Sequence, residues 1–340
     1  MGRVFRNNYN DAHYMLETLD YYLHANMAVI IGIILYSFSQ INEETIKSTL
    51  IMNSENQDKD SQSAGNEPLK KEIGSSETTR ALSDNEWLAG VIDGDGNFDV
   101  RTLNGRRVLK AIRVKLAVRD ARVVYRIRYI LNVGRIKAVG PNLVQYIVSD
   151  RAGMTTLINK INGHIRIKVP GMIEACDSLG ITHVPASPKV PRNSTYLAGL
   201  LDTDGSLALN YPGNRIDMAF EFTQNEYTLA LDLSEVIEGI SPVVRTFEKK
   251  NQTVGKIFYS IRFVYDNVSH MEPIYNYFKT HRCYSDFKYY RAMKIKRFLE
   301  LRAFKKHPTD SVEFKLYNDF LKDFYTHLNE GKPLPSYIKS

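Results

Sequence analysis

Apolar and polar residues alternate with period two in two separate stretches of the chain. Over 112–119, Ile112, Val114, Leu116 and Val118 fall on one side, and Arg113, Lys115, Ala117 and Arg119 on the other. Over 215–223, Ile216, Met218, Phe220 and Phe222 fall on one side, and Arg215, Asp217, Ala219, Glu221 and Thr223 on the other. That period belongs to strands with one buried and one open face. The same succession of patterns surrounds each stretch. In the first, strands are predicted over 97–103 and 108–118, a helix over 121–131, strands over 135–139 and 143–148, and a helix over 151–161. In the second, strands are predicted over 206–210 and 215–223, a helix over 225–238, strands over 243–248 and 257–264, and a helix over 269–278. Asn104-Gly105 and Gly213-Asn214 suit hairpin turns. The fold class expected is α+β: two pseudo-symmetric αββαββα repeats, over 84–185 and 193–340, with extra C-terminal helices over 284–328.

Ahead of the repeats the pattern changes. Residues 21–42 hold no Asp, Glu, Lys or Arg, and the centre of that run, MAVIIGIILY over 27–36, is almost wholly apolar. It is short of the ~20 residues of a membrane span, and its flanks carry His24, Asn26 and Gln40. A marginal span, a buried helix and a translated remnant of a neighbouring gene all fit it. Residues 43–83 read as a disordered linker, because NSENQDKDSQSAGNEP has no aromatic residue and little apolar area with which to offset its ordering entropy.

Composition sharpens the picture in one respect. The net charge is +7, yet residues 1–83 carry 7 Lys+Arg against 11 Asp+Glu, leaving 38 against 27 for residues 84–340. The basic excess therefore belongs to the repeats and favours an anionic partner. Two cysteines, Cys176 and Cys283, offer neither a disulfide framework nor zinc-ligand spacing.

The candidate chemistry lies where the repeats coincide most closely. EWLAGVIDGDGNF over 86–98 and TYLAGLLDTDGSL over 195–207 place Leu88 and Leu197 109 residues apart. Each is a short helix with small residues, Ala89 and Gly90 in one, Ala198 and Gly199 in the other, that let two helix backbones approach closely. Each ends in acid, small residue, acid, glycine. If the helices pack side by side, Asp95 and Asp204 meet at helix C-termini, where anions are already disfavoured. Such a pair calls for a cation, and hard oxygen ligands favour Mg²⁺. One such ending would serve as a polar cap; two at the same spacing point to a metal-dependent site.

Leu88–Gly96 and Leu197–Gly205 resemble the two motifs of single-chain LAGLIDADG homing endonucleases, and the resemblance covers about residues 84–305. It implies a monomer whose two repeats form an intramolecular pseudo-dimer, cutting double-stranded DNA at a long asymmetric site with Mg²⁺ or Mn²⁺. Asp95 and Asp204 would bind the metals, and Asp93 and Asp202 would be more structural. Polar or basic residues expected around the metals are Arg119 and Gln224 at strand ends, Lys168 in HIRIK, and Arg282 in THRCYSDFK, with Lys279 and Lys288 as rivals. Base and phosphate contacts would come from Arg101, Arg106, Lys110, Arg113 and Lys115 in one half. In the other they would come from Arg215, Asp217, Glu221, Arg245, Lys249 and Arg262. The resemblance also implies an open reading frame within an organellar intron, in the mitochondrion first and the chloroplast second. The alternative role is that of a maturase, bound to its own intron RNA and assisting its splicing. The sequence YLHAN over 22–26 faintly resembles a cytochrome b segment, which would fit fusion to an upstream exon.

Overall fold

The computed structural model describes residues 74–250, 257–329 and 331–338. The apolar run over 21–42 and the linker up to residue 73 lie outside the described residues. Among the described residues no helix is long and apolar enough to cross a membrane.

The first repeat begins with α1 (Gly74–Asp95) and continues through β1 (Gly96–Leu103), β2 (Arg106–Ala117), α2 (Ala121–Leu131), β3 (Arg135–Ala138), β4 (Leu143–Val148), α3 (Arg151–Ile161) and α4 (Val169–Leu179). The second runs through α5 (Tyr196–Thr203), β5 (Gly205–Asn210), β6 (Arg215–Thr223), α6 (Glu226–Ala230), β7 (Val243–Lys250), β8 (Ile257–Tyr265) and α7 (Met271–Thr280). Helices α8 (Asp286–Leu301) and α9 (Val312–Thr326) follow. The expected αββαββα order is present twice. Each repeat folds its strands into one antiparallel sheet, in the orders β1-β2-β4-β3 and β5-β6-β8-β7.

The two sheets are equivalent in register. Gly96 pairs with Val114 and Ile112 with Val148 in one; Gly205 pairs with Phe220 and Met218 with Tyr265 in the other. Ile112, Val114 and Leu116 are buried, as are Ile216, Met218, Phe220 and Phe222. Each such side chain contributes about 1.5–3 kcal/mol. The alternation fails at Val118, which is 51% exposed. The strand ends at Ala117 and a 3₁₀ turn over Val118–Asp120 resets the side-chain directions. Ala219 lies on the open face but is buried, its methyl group flanked by Ser206 and Val264 on the neighbouring strands.

Three other elements depart from the pattern. Residues 74–83, expected to end the disordered linker, instead form the first part of α1, which starts at Gly74. Once the buried segment from Trp87 onward is helical, adding N-terminal residues costs no new nucleation. The helix predicted over 225–238 is only the five residues of α6. Beyond it Leu231, Leu233, Val236 and Ile237 are buried in irregular chain, which bridges in parallel to Lys189 through Asp232. The Asp232 carboxylate also accepts from the Ser234 N–H at 2.8 Å, a local turn that competes with helix. Helix α4 had no counterpart in the predicted elements, and its Pro170 and the left-handed Gly180 mark its two ends.

Candidate active site

The two repeats meet along α1 and α5. A methyl group on Gly90 would collide with the Tyr196 carbonyl, and one on Gly199 with the Trp87 carbonyl. The backbones thus touch at the two glycines. Ala89 and Ala198 are fully buried beside them. Leu88, Val91, Ile92, Leu197, Leu200 and Leu201 are also without solvent exposure.

Two carboxylates brace this contact crosswise. Asp93 accepts from the Tyr196 hydroxyl at 2.7 Å, and Asp202 from the Trp87 indole N–H at 2.9 Å. Trp87 and Tyr196 both immediately precede the Leu of their motif, so each repeat lends an aromatic donor to the other's acid. The remaining donors are backbone N–H groups: Arg166 (2.7 Å) and Lys168 (2.8 Å) for Asp93, Tyr284 (2.9 Å) and Ser285 (2.6 Å) for Asp202. Burial pushes the Asp93 carboxyl above its ordinary value, and that of Asp202 up to about 6, against the pull of these donors. Both acids are consumed by structure.

Asp95 and Asp204 differ. Among the described residues neither side chain accepts a hydrogen bond or forms an ion pair. Crowding by surrounding protein raises both carboxyls above the usual range, and for Asp204 the charge of Asp95 raises it further. Two under-coordinated carboxylates that feel each other are a fit for a hard divalent cation. No group of three or more His, Cys, Asp and Glu gathers among the described residues.

A lysine docks beside each helix end. Lys168 Nζ donates to the Gly94 carbonyl and, at 2.5 Å, to the Gly96 carbonyl. Lys288 Nζ donates to the carbonyls of Leu201 (2.8 Å), Asp202 (3.2 Å) and Thr203 (2.6 Å). These carbonyls end α1 and α5, where a cation is favoured. Burial lowers both ammonium groups from their ordinary value, while carboxylates act against it: Asp204, Asp93 and Asp95 for Lys168, and Asp120, Asp202 and Asp95 among those for Lys288. A cavity of about 640 Å³ opens on the Lys168 side, lined by Gly94, Asn97, Lys168, Asp204, Thr223 and Asn225 among others.

The structure places the other expected residues less evenly. Arg282 lies away from this cluster, 3.5 Å from Asp286 and over the Tyr289 ring at 4.2 Å; Lys288 holds the place sought for it. By register the counterpart of Gln224 is Val118, so Arg119 lies one residue beyond the matching position. Arg119 instead donates to Asn329 at 3.2 Å and covers the Phe287 ring at 4.1 Å. Gln224 is half-buried at the end of β6, its N–H bonded to the Tyr259 carbonyl at 2.9 Å. Asp120, not singled out from the sequence, is buried and accepts from the Ser285 hydroxyl.

The open faces of the two sheets also differ. On the first, Asp99 pairs with Arg101 (2.9 Å) and Arg113 (2.8 Å), which hold its carboxyl at about 2. Arg106, Lys110 and Lys115 are exposed and have no hydrogen bond or ion pair among the described residues. Lys137 and Gln145 extend the row of Lys115 and were missed, because β3 is only four residues long and its alternation is unreadable. On the second face most cations are matched: Arg215 with Asp217 (2.7 Å), Arg245 with Asp266 (2.7 Å) and Lys249 with Glu221, while Arg262 lies opposite Glu221 in register and its charge also acts on that carboxylate.

A family profile described as LAGLIDADG endonuclease matches residues 88–167, the first motif and most of its repeat. Over these residues the chain resembles this family. It is 27% identical over 267 residues to the intron-encoded DNA endonuclease ai2a of Dictyostelium discoideum, covering 75% of this chain and 80% of that protein. It is also 27% identical to the intron-encoded RNA maturase bI4 of Saccharomyces cerevisiae, over 38% of this chain and 20% of that protein. Among solved structures, the LAGLIDADG homing endonuclease I-GzeII in complex with its DNA target aligns with a TM-score of 0.45 and 13% identity, over 75% of this chain and 99% of that one.

Proposed function

We propose that this protein is a site-specific double-stranded DNA endonuclease that hydrolyses one phosphodiester in each strand of a long asymmetric target. The observation that carries the reading is the pair Asp95 and Asp204: carboxylates without a hydrogen bond or ion pair among the described residues, at the adjoining ends of two crossed helices, each beside a docked lysine. Asp95 and Asp204 would hold Mg²⁺ or Mn²⁺, which supplies charge neutralisation at phosphate and a more acidic bound water. Lys168 and Lys288 would stabilise the extra negative charge of the transition state. The two open sheet faces would track adjacent helical turns of DNA, each ~34 Å. Arg101, Arg106, Lys110, Arg113, Lys115, Arg215, Arg245, Lys249 and Arg262 would supply phosphate and base contacts, with Asp217 and Glu221 orienting cations or accepting from bases. Because the two faces carry different side chains, the two half-sites should differ in sequence.

We further place its gene within an organellar intron, mitochondrial first, in line with the intron-encoded relatives. The test is incubation of the purified chain with Mg²⁺ and DNA spanning the intron-free junction of its host gene. A double-strand break at one position, stopped by EDTA while binding persists, supports the reading. Binding without cleavage at any Mg²⁺ or Mn²⁺ concentration contradicts it and turns attention to splicing of the intron RNA.

A further inference from the structure

The two lysines of the site are not held alike. Lys288 lies in the first turn of α8, whose N-cap is Ser285; the Ser285 hydroxyl accepts from the Lys288 N–H at 3.2 Å. The Ser285 N–H donates to Asp202 at 2.6 Å, and its hydroxyl donates to Asp120. Asp120 comes from the other repeat, at the end of the 3₁₀ turn after β2, and is 7% exposed. Of the charges acting on Lys288, that of Asp120 is the largest. One buried carboxylate of the first repeat thus fixes the helix turn that carries the lysine of the second.

Among the described residues nothing equivalent serves Lys168. By the register of the sheets the counterpart of Asp120 is Glu226, which is exposed in the first turn of α6. The carboxylates acting on Lys168 are Asp204, Asp93 and Asp95, all from the motif helices. Its neighbours at the strand end are Thr223 and the exposed Asn225.

We propose that Asp120 is a positioning residue for one half of the site only: through Ser285 it sets Lys288, and with it the rate at which one of the two DNA strands is cut. This rests on the nuclease reading above. A charged side chain held by a buried carboxylate gains orientation, and outer partners of this kind commonly matter about 10- to 100-fold.

The experiment follows both strands of an end-labelled target duplex, selected by cleavage from a randomised DNA library, cut by the full chain in Mg²⁺. The wild type cuts both strands. In D120N the rate on one strand is expected to fall about 10- to 100-fold while the other is little changed, so that nicked DNA accumulates. S285A, which keeps the acid but removes the linking hydroxyl, should slow the same strand, and it is read in the same way if D120N does not fold. A loss of folded protein lowers both rates by one factor and leaves their ratio untouched. Equal slowing of both strands by a variant whose folded fraction, read by circular dichroism, matches the wild type, or no slowing at all, overturns the assignment of Asp120 alone. A wild type that cuts neither strand overturns the nuclease reading and this assignment together.

Discussion

Lys288 and Arg282 are six residues apart in a stretch with three candidate cations, and only their surroundings separate them. Lys288 is buried against the last carbonyls of α5; Arg282 has a surface carboxylate and a tyrosine ring for company. K288M should therefore lower the cleavage rate about 100-fold or more, whereas R282M should leave it nearly unchanged, as a single-turnover assay would read. Similar rates for the two variants would mean that the docked lysine is only a helix cap. The sequence could not make this choice because the spacing is unequal: Lys168 follows Asp95 by 73 residues and Lys288 follows Asp204 by 84. Asp95 and Asp204 were readable because their whole surroundings repeat. Asp120 was not, since its importance depends on Ser285 in a distant part of the chain.

At the scale of elements, the contact between α1 and α5 tolerates no added atom at its crossing. A Cβ at position 199 would overlap the Trp87 carbonyl oxygen and lie 3.0 Å from the Val91 nitrogen. G199A should destabilise the protein by about 1–3 kcal/mol or more, since backbone atoms rather than a flexible side chain must move. Urea denaturation measures this; an unchanged midpoint would show that the helices part easily. The sheets make a second prediction. Lys110 and Lys115 have no ion-pair partner among the described residues, while Arg215 is held by Asp217. If the faces bind DNA, K110A or K115A should reduce the slope of log affinity against log salt by about 1, and R215A by less. Equal slopes for all three would contradict the distinction. Strand positions were legible because alternation is a local signal. The chain over 231–240 was not, because its conformation is set by a bridge to Lys189, across the repeat boundary.

Across the whole molecule, partly buried histidines in both repeats make stability depend on pH. His164 and His281, one in each repeat, are both pulled below the ordinary value of 6.5 by burial, against the charge of Glu86; burial lowers His270 as well. The unfolded chain then binds protons more readily than the folded one as pH falls past 6.5. This histidine contribution is retained above that value and lost below it, whereas Asp202, raised to about 6, takes up a proton on folding and acts in the opposite sense. Urea midpoints at pH 5 and 7.5 should therefore show that H164Q combined with H281Q loses less stability on acidification than the parent; an equal change in both would contradict the assignment. The pseudo-symmetry itself was legible from two motifs 109 residues apart, whereas the inequality of the halves was not, because it resides in contacts made by α8.

The central claim is that Asp95 and Asp204 together form a metal-dependent cutting site. The most direct measurement is double-strand cleavage of the target DNA in Mg²⁺ by the wild type, D95N and D204N, with DNA binding followed in parallel. The expected result is a specific break by the wild type, its loss in either variant, and binding retained in all three. A variant that still makes the double-strand break at the wild-type rate would contradict it.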